Sequence, residues 1–300
     1  MREGQSVRVA LPSCSVLCVT CLTPRGQSTC GVYCFLMKAY LPQLQNRWPY
    51  WHIPVSVVGA VLLWEGLVRL NDYPPFLLPG PQRVATRLLQ TLGDGTLLRH
   101  SAVTLGEVFA GLLVGLLVAA MLGYVIAHSP LLDRLLSPYI VASQAVPTVA
   151  IAPLLVIWFG SGTLSKVLIC ALIVFFPILI NVIVGLRGVP EDLFSLMRVF
   201  RASRWQVLWH LELPAALPVL LGGLKIGATL AVIGAVVGEF IGANAGLGFL
   251  IIAGRGQFDT PLVFVAVLAL VLLALTLYGL ISWIERLALR WQQPRGSNTL

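Results

Sequence analysis

Long apolar runs separated by short polar segments are the feature that most constrains how this chain can fold. Of its 300 residues, 58% are hydrophobic and 11% are charged, whereas about 25% are charged in soluble globular domains. A helix of about 20 mainly apolar residues can cross a bilayer, where backbone N–H and C=O groups must pair within the chain. The sequence therefore predicts an all-α polytopic membrane protein with about six transmembrane helices, at residues 53–70, 102–127, 138–159, 164–186, 218–241 and 262–284.

The positive charges predict the orientation of these spans. The chain has 20 lysines and arginines. The segments outside the predicted spans alternate between more basic and less basic, and the more basic set holds the larger share of these residues. By the positive-inside rule, both termini, the tail at 287–300 and the polar loop at 187–217 are expected in the cytoplasm. The basic residues that give the net charge of +8 flank apolar runs. They do not form the basic polar domain of a nucleic-acid-binding protein. No nucleic-acid partner is expected.

Residues 1–52 differ from the rest and are predicted to be an N-terminal extension. Three of their cysteines, Cys14, Cys18 and Cys21, have a spacing found in iron–sulfur enzymes. No sequence pattern for a barrel that could hold such a cluster follows, so no metal site is predicted. Because this part is rich in cysteine and Met37-Lys38 offers a later start, residues 1–36 are interpreted as a dispensable upstream extension or a mis-assigned start.

Two predicted spans combine prolines with polar side chains. Pro147 and Pro153 interrupt the third span, and backbone groups freed by proline need protein or a water-lined cavity around them. This pattern favours a solute pathway, although a kinked structural helix remains the alternative. Glu239 precedes a glycine-rich turn and is interpreted either as a gating or substrate-contacting group or as a solvated helix-end carboxylate. The pathway candidates are Ser143, Gln144, Pro147, Thr148, Asn181 and Glu239.

The polar loop between the fourth and fifth spans predicts two short helices. Apolar residues recur at i, i+3, i+4 and i+7 in Leu193, Leu196, Met197 and Phe200, which is typical of one face of an amphipathic helix. Ser203 followed by Gln206 predicts a capping box at a second helix start, and Pro214 and Pro218 are expected to end that helix. The loop is interpreted as a rigid knob that docks a partner, with an ordinary amphipathic surface loop as the alternative.

This loop resembles the cytoplasmic coupling loop of permease subunits in ATP-binding-cassette (ABC) importers. The family pattern is Glu-Ala-Ala, three residues, Gly, nine residues, then Ile-x-Leu-Pro; residues 202–206 and 213–218 match it well. Ser195-Leu196-Met197 replaces Glu-Ala-Ala, and Arg201 stands at the glycine. Residues 144–162, 175–186 and 238–251 resemble the nitrate, sulfonate and taurine class of these permeases, leaning to its riboflavin and thiamine-precursor branch.

The resemblance implies a transporter subunit that is not an enzyme and binds no cofactor. It implies cytoplasmic ABC ATPase subunits that carry ATP-Mg, an extracytoplasmic substrate-binding protein, a second permease copy and a bacterial inner membrane. The implied solute is small and organic: riboflavin or a pyrimidine thiamine precursor is favoured, and sulfonate, taurine or nitrate is possible. The implied ATPase-docking residues are Leu193, Leu196, Met197, Phe200, Arg201, Ala202, Ser203, Arg204 and Trp205.

A secondary transporter driven by an ion gradient is the alternative function. Such proteins place ionisable residues at mid-membrane and often contain inverted repeats. Here Glu107 and Lys225 fall toward the ends of predicted spans, and the two halves show no clear repeat. Residues 160–167 lack the second glycine and the Ser or Thr of a phosphate-binding loop. Energy is therefore expected to come from a partner.

Overall fold

The computed structural model describes residues 52–71, 74, 76–145 and 147–290. The segment 1–36, predicted to be dispensable, lies outside the described residues. Contacts divide the chain after Leu63: the described part of the first unit is the beginning of helix α1 (His52–Leu70), and the second unit starts at Trp64. The described part is helical and contains no strand, so the all-α prediction is confirmed.

The remaining elements follow in chain order. They are α2 (Pro81–Gly93), α3 (Thr96–His128), α4 (Pro130–Ala145), α5 (Thr148–Phe159), α6 (Thr163–Arg187), α7 (Glu191–Val199), α8 (Arg204–Val207), a π-helical turn (Leu208–Glu212), α9 (Leu213–Gly242), α10 (Leu247–Gly256) and α11 (Thr260–Ala288).

Four helical segments in the described part are long and apolar enough to cross a membrane: α3, α6, α11, and Arg204–Gly242, which contains α8 and α9. Each contains one of the predicted spans. The predicted span at 53–70 coincides with α1, which is not among those four.

The predicted span at 138–159 does not form one helix. Helix α4 ends at Ala145, and α5 begins at Thr148 after an extended Pro147 at φ −67° and ψ 98°. Proline has no N–H to continue the helical ladder, and it also disfavours helical geometry in the residue before it. The expectation that Pro214 and Pro218 end the second loop helix is wrong. Pro214 lies in the first turn of α9, where proline is tolerated, and Pro218 lies inside it.

Helix α6 forms the centre of the fold because it packs against both α3 and α9. Lipid tails are as apolar as leucine, so membrane helices associate through close van der Waals contact, which small residues allow. Gly111 and Gly115 of α3 lie against Cys170 and Ala171 of α6, and Gly234 of α9 also lies against Cys170. A Cβ atom at Gly115 would be 2.9 Å from the Ala171 carbonyl oxygen.

Substitutions at two glycines of α3 distinguish the effect of close packing on stability from the effect of intrinsic helix propensity. At Gly111 an added Cβ would lie 2.2 Å from the Cys170 Cβ, whereas nothing lies within 4 Å at Gly106. We expect Gly111→Ala to destabilise the fold by about 1–3 kcal/mol through overpacking. Gly106→Ala should be neutral or slightly stabilising, since alanine favours a helix over glycine by about 1 kcal/mol. Thermal unfolding of the detergent-solubilised protein measures both, and equal behaviour of the two variants would contradict the packing account.

Candidate functional site

Helices α7 and α8 present a group of exposed apolar side chains to solvent. Leu196 is 52% exposed, Val199 79%, Phe200 73% and Trp205 66%. A group of large apolar side chains exposed close together in sequence is a candidate interaction site. We call Leu193, Leu196, Val199, Phe200 and Trp205 the docking patch.

The structure places the sequence-predicted docking residues around one corner, with two differences from the predicted stripe. Phe200 caps α7 and does not continue it, and Met197 is half-buried. Val199 was not predicted but is the most exposed member of the patch. The corner redirects the chain immediately after Phe200, which is why a strict helical periodicity does not describe the surface. Ala202, Ser203 and Arg204 follow directly and form the corner and the first residue of α8.

Arg201 occupies the left-handed position of a Schellman cap. Its φ is 50°, its N–H donates to the Arg198 carbonyl at 3.0 Å, and the Ala202 N–H donates to the Met197 carbonyl at 3.0 Å. Glycine is usual at this position because it has no Cβ to clash in left-handed backbone. The departure from the family glycine therefore leaves the corner in place, at the cost of a strained arginine backbone.

The predicted capping box beyond this corner is confirmed. The Gln206 N–H donates to Ser203 Oγ at 3.3 Å, and the Ser203 N–H donates to Gln206 Oε1 at 2.8 Å. These two bonds satisfy donors at the start of α8. The cap of α7 and the box of α8 together fix the angle between the helices.

The pathway candidates near the break between α4 and α5 lie at or beside an irregular backbone. Pro147 is exposed and Thr148 is half-buried, while Ser143 Oγ donates to the Ile140 carbonyl at 2.7 Å. The side chain of Gln144 lies outside what the structure describes. Asn181 is in α6, where its amide donates to the Pro177 carbonyl at 2.8 Å. These hydrogen bonds stay within single helices, so the pathway role of these residues remains a prediction.

Glu239 is buried in a polar cluster that joins α9 to α3 and to the turn before α10. The residue is 2% exposed; Oε1 accepts from Thr104 Oγ1 at 2.7 Å, and Oε2 accepts from the Gly248 N–H at 2.5 Å. The interpretation of Glu239 as a solvated helix-end carboxylate is therefore wrong. A Cβ at Gly246 would lie 2.1 Å from Glu239 Oε1, so glycine at this position lets the turn close over the carboxylate.

Sequence reasoning missed a buried ion pair beside this carboxylate. Lys166 Nζ donates to Glu107 Oε1 at 2.8 Å, and both side chains are under 10% exposed. Lys166 lies in the first turn of α6, at the beginning of the predicted span 164–186. A second pair, Lys225 with Glu285, links α9 to α11. The only signal was the presence of charges within or beside apolar runs, because the partners are 59 and 60 residues apart.

Residues 111–290 match the family model described as "Binding-protein-dependent transport system inner membrane component". The chain belongs to this family. It is an ABC importer permease, as the coupling-loop resemblance implied. The match covers α6, both loop helices, α9 and α11, so the docking patch and the core packing lie within the family domain.

Relatives of this permease include proteins named for two solutes. The riboflavin transport system permease protein RibX of Chloroflexus aurantiacus is 47% identical over 246 residues, which cover 82% of this chain and 92% of that protein. The formylaminopyrimidine transport permease protein ThiX of Halalkalibacterium halodurans is 34% identical over 235 residues, or 78% of this chain and 93% of that protein.

A solved structure shares the fold of this permease. An inward-facing structure of the MetNI methionine ABC transporter contains a chain that matches with a TM-score of 0.55 and 21% identity, covering 65% of this permease and 97% of that chain. At this identity the likeness shows the fold alone.

The buried Lys166–Glu107 pair predicts that replacing both partners restores the stability that is lost when Lys166 alone is replaced. Lys166→Met leaves the Glu107 carboxylate uncompensated and should cost about 3–5 kcal/mol of stability, whereas Lys166→Met with Glu107→Leu should be close to neutral. Arg69→Met breaks an i,i+4 pair whose arginine side chain is 75% exposed, and it should change stability little. Thermal unfolding in detergent measures the relative stabilities of these three variants. A double variant less stable than Lys166→Met would contradict the pairing.

Proposed function

We propose that this permease forms the solute path of an importer in which a separate ABC ATPase docks on the docking patch. The observation that supports this most strongly is the group of exposed apolar side chains on two short helices joined at a fixed corner. A free aqueous surface disfavours this grouping. Seated in a groove of a partner, the same side chains become anchors of the helix-in-groove kind.

The connections of α7 and α8 suit the transmission of movement. Helix α7 follows α6 after Gly188–Pro190, and the helical segment that begins with α8 continues into α9. Both core helices that carry the loop pack on each other. Closure of the ATPases would therefore move the loop as a rigid lever and switch the path between inward-open and outward-open states.

The orientation and assembly follow from the same proposal. Docking to an ATPase places the loop, both termini and ATP-Mg on the cytoplasmic side, in agreement with the positive-inside distribution. The solute is delivered from the opposite side by an extracytoplasmic substrate-binding protein, and a second permease copy completes the path. ATP is hydrolysed by the partner, and this chain contributes no catalytic group.

Riboflavin, or a related nitrogen heterocycle, is the proposed solute. The relatives RibX and ThiX, at 47% and 34% identity, are named for riboflavin and formylaminopyrimidine. Both solutes contain a planar nitrogen heterocycle. Uptake of labelled riboflavin by cells that carry the complete importer tests this proposal. Uptake of taurine, sulfonate or nitrate without riboflavin uptake would contradict it.

The ion-gradient-driven transporter that the sequence left as an alternative does not fit the family match, although ion pairs lie within the helical bundle. Ionisable residues at membrane depth often mark ion pathways. In the described part of the chain, however, Lys166 and Lys225 each have a carboxylate partner. These pairs stabilise helix contacts without needing a transported ion.

Truncation of one exposed phenylalanine tests the docking proposal. Burial of a side chain such as Phe200 contributes about 1.5–3 kcal/mol, so Phe200→Ala should weaken ATPase binding roughly tenfold or more. Membrane insertion should stay intact, because the side chain is 73% exposed. Co-purification of the ATPase with the tagged permease, together with uptake by the complete importer, measures the effect.

Phe258→Ala is the matched control, since this phenylalanine is 78% exposed but lies before α11, away from the docking patch in sequence. It should leave ATPase co-purification unchanged. Equal ATPase recovery with both variants would exclude Phe200 as an anchor.

A further inference from the structure

Two neighbouring cavities lie behind α7, on the side away from the exposed docking patch. Their volumes are about 350 and 540 Å³. Both are lined by His128 of α3, Phe194 and Arg198 of α7, and Glu212 of the π-helical turn. Helix α7 therefore has open space between its inner face and the ends of the core helices.

Glu212 lines both cavities and has one carboxylate oxygen that is unsatisfied among the described residues. The residue is 4% exposed, and Oε1 lies 3.0 Å from His128 Nε2. His128 Nδ1 lies 2.9 Å from the Tyr124 carbonyl, which fixes the ring. Glu212 Oε2 is buried and has no hydrogen-bond partner among the described residues. Such an atom loses its water without a replacement partner, which is unfavourable.

Arg198 is the cation best placed to bind the unsatisfied oxygen of this carboxylate. It lines both cavities, lies in the last turn of α7, is exposed, and forms no ion pair within the part of the chain that the structure describes. The other basic groups are less suited. Arg187 is bonded to Asp133 at 2.6 Å, and Arg204 lines the larger cavity only. Glu191, the other carboxylate of the smaller cavity, is exposed in the first turn of α7.

We propose that Arg198 binds the free oxygen of Glu212 when the docked ATPases close, the two-helix loop pivots at the π-helical turn Leu208–Glu212 and α7 moves into these cavities. The salt bridge would then join the docking element to α9 through Glu212 and to α3 through His128. Opening of the ATPases breaks it and restores the arrangement seen here. An arginine–carboxylate contact is strong and directional, so its formation gives the loop and the membrane helices two discrete arrangements.

In this scheme Arg198 and Glu212 are positioning residues, and they act on transport through helix movement. The scheme rests on the proposed docking of an ATPase. It adds to that proposal a specific contact that is absent in one state and present in the other. The pair should therefore govern how much solute moves for each ATP hydrolysed, and leave the amount of ATPase bound unchanged.

A double-mutant cycle in the complete importer tests this contact. Permease, ATPase and substrate-binding protein are reconstituted in proteoliposomes, and riboflavin uptake per ATP hydrolysed is measured for Arg198→Ala, Glu212→Gln and the double variant. Each single change should lower this ratio by roughly tenfold, and the double change should lower it no further, as expected for residues that act through one contact. Arg198→Lys keeps the charge and should recover part of the loss.

Two matched arginines control for charge alone. Arg204→Ala removes the other guanidinium of the larger cavity, which has no ion-pair partner among the described residues, and Arg134→Ala removes an exposed arginine of α4 that lines neither cavity. The effect of each substitution on uptake per ATP hydrolysed should add to that of Glu212→Gln, with no coupling between them. Additive losses for Arg198 and Glu212, or coupling of Glu212 to Arg204 instead, would overturn the proposal. If the ATPase does not co-purify with the unaltered permease, the docking proposal itself is wrong. Failure of the Arg198–Glu212 contact and failure of docking are therefore distinguishable.

Discussion

Close packing of α6 against α3 and α9 is the interaction on which the rest of this structure depends. Where lipid removes the hydrophobic drive for helix association, contact at glycine positions supplies van der Waals attraction over long helix faces. Gly111 and Gly115 of α3 and Gly234 of α9 bring these two helices to the same short segment, Cys170–Ala171, of α6. Polar contacts also connect these helices. The Lys166–Glu107 pair joins α6 to α3, and the Thr104–Glu239 bond joins α3 to α9, both near the turn before α10. The His128–Glu212 contact joins α3 to the π-helical turn at the start of α9, beside the loop.

This arrangement separates rigid parts from a part that can move. The core helices are fixed to one another by backbone-close contacts and buried bonds. The two-helix loop is internally stiff, through its Schellman cap and capping box, yet cavities lie behind α7. A stiff element over open space can shift as a unit, and its connections lead directly into α6 and α9. Binding energy from an ATPase could therefore reach the solute path without unfolding any helix.

Local sequence patterns predicted the parts of this structure that depend on local chemistry. Apolar length placed α3, α6, α9 and α11, and the Ser203–Gln206 spacing placed the capping box. The family glycine pattern marked the left-handed corner, although Arg201 fills it. What the sequence did not predict depends on contacts between distant residues. Pro147 was recognised as disruptive, but whether it kinks or ends a helix is decided by its surroundings. Nothing local indicated that Lys166 would meet Glu107, or that Glu239 would turn into the protein.

The central claim is that ATP hydrolysed by a docked partner drives solute movement through this permease. The most direct test is riboflavin uptake by proteoliposomes that contain permease, ATPase and substrate-binding protein, with ATP supplied on the ATPase side. Proton and sodium gradients are abolished by ionophores. We expect uptake that requires ATP and persists without either gradient. Uptake that continues without ATP while a gradient is maintained, and stops when that gradient is abolished, would contradict it.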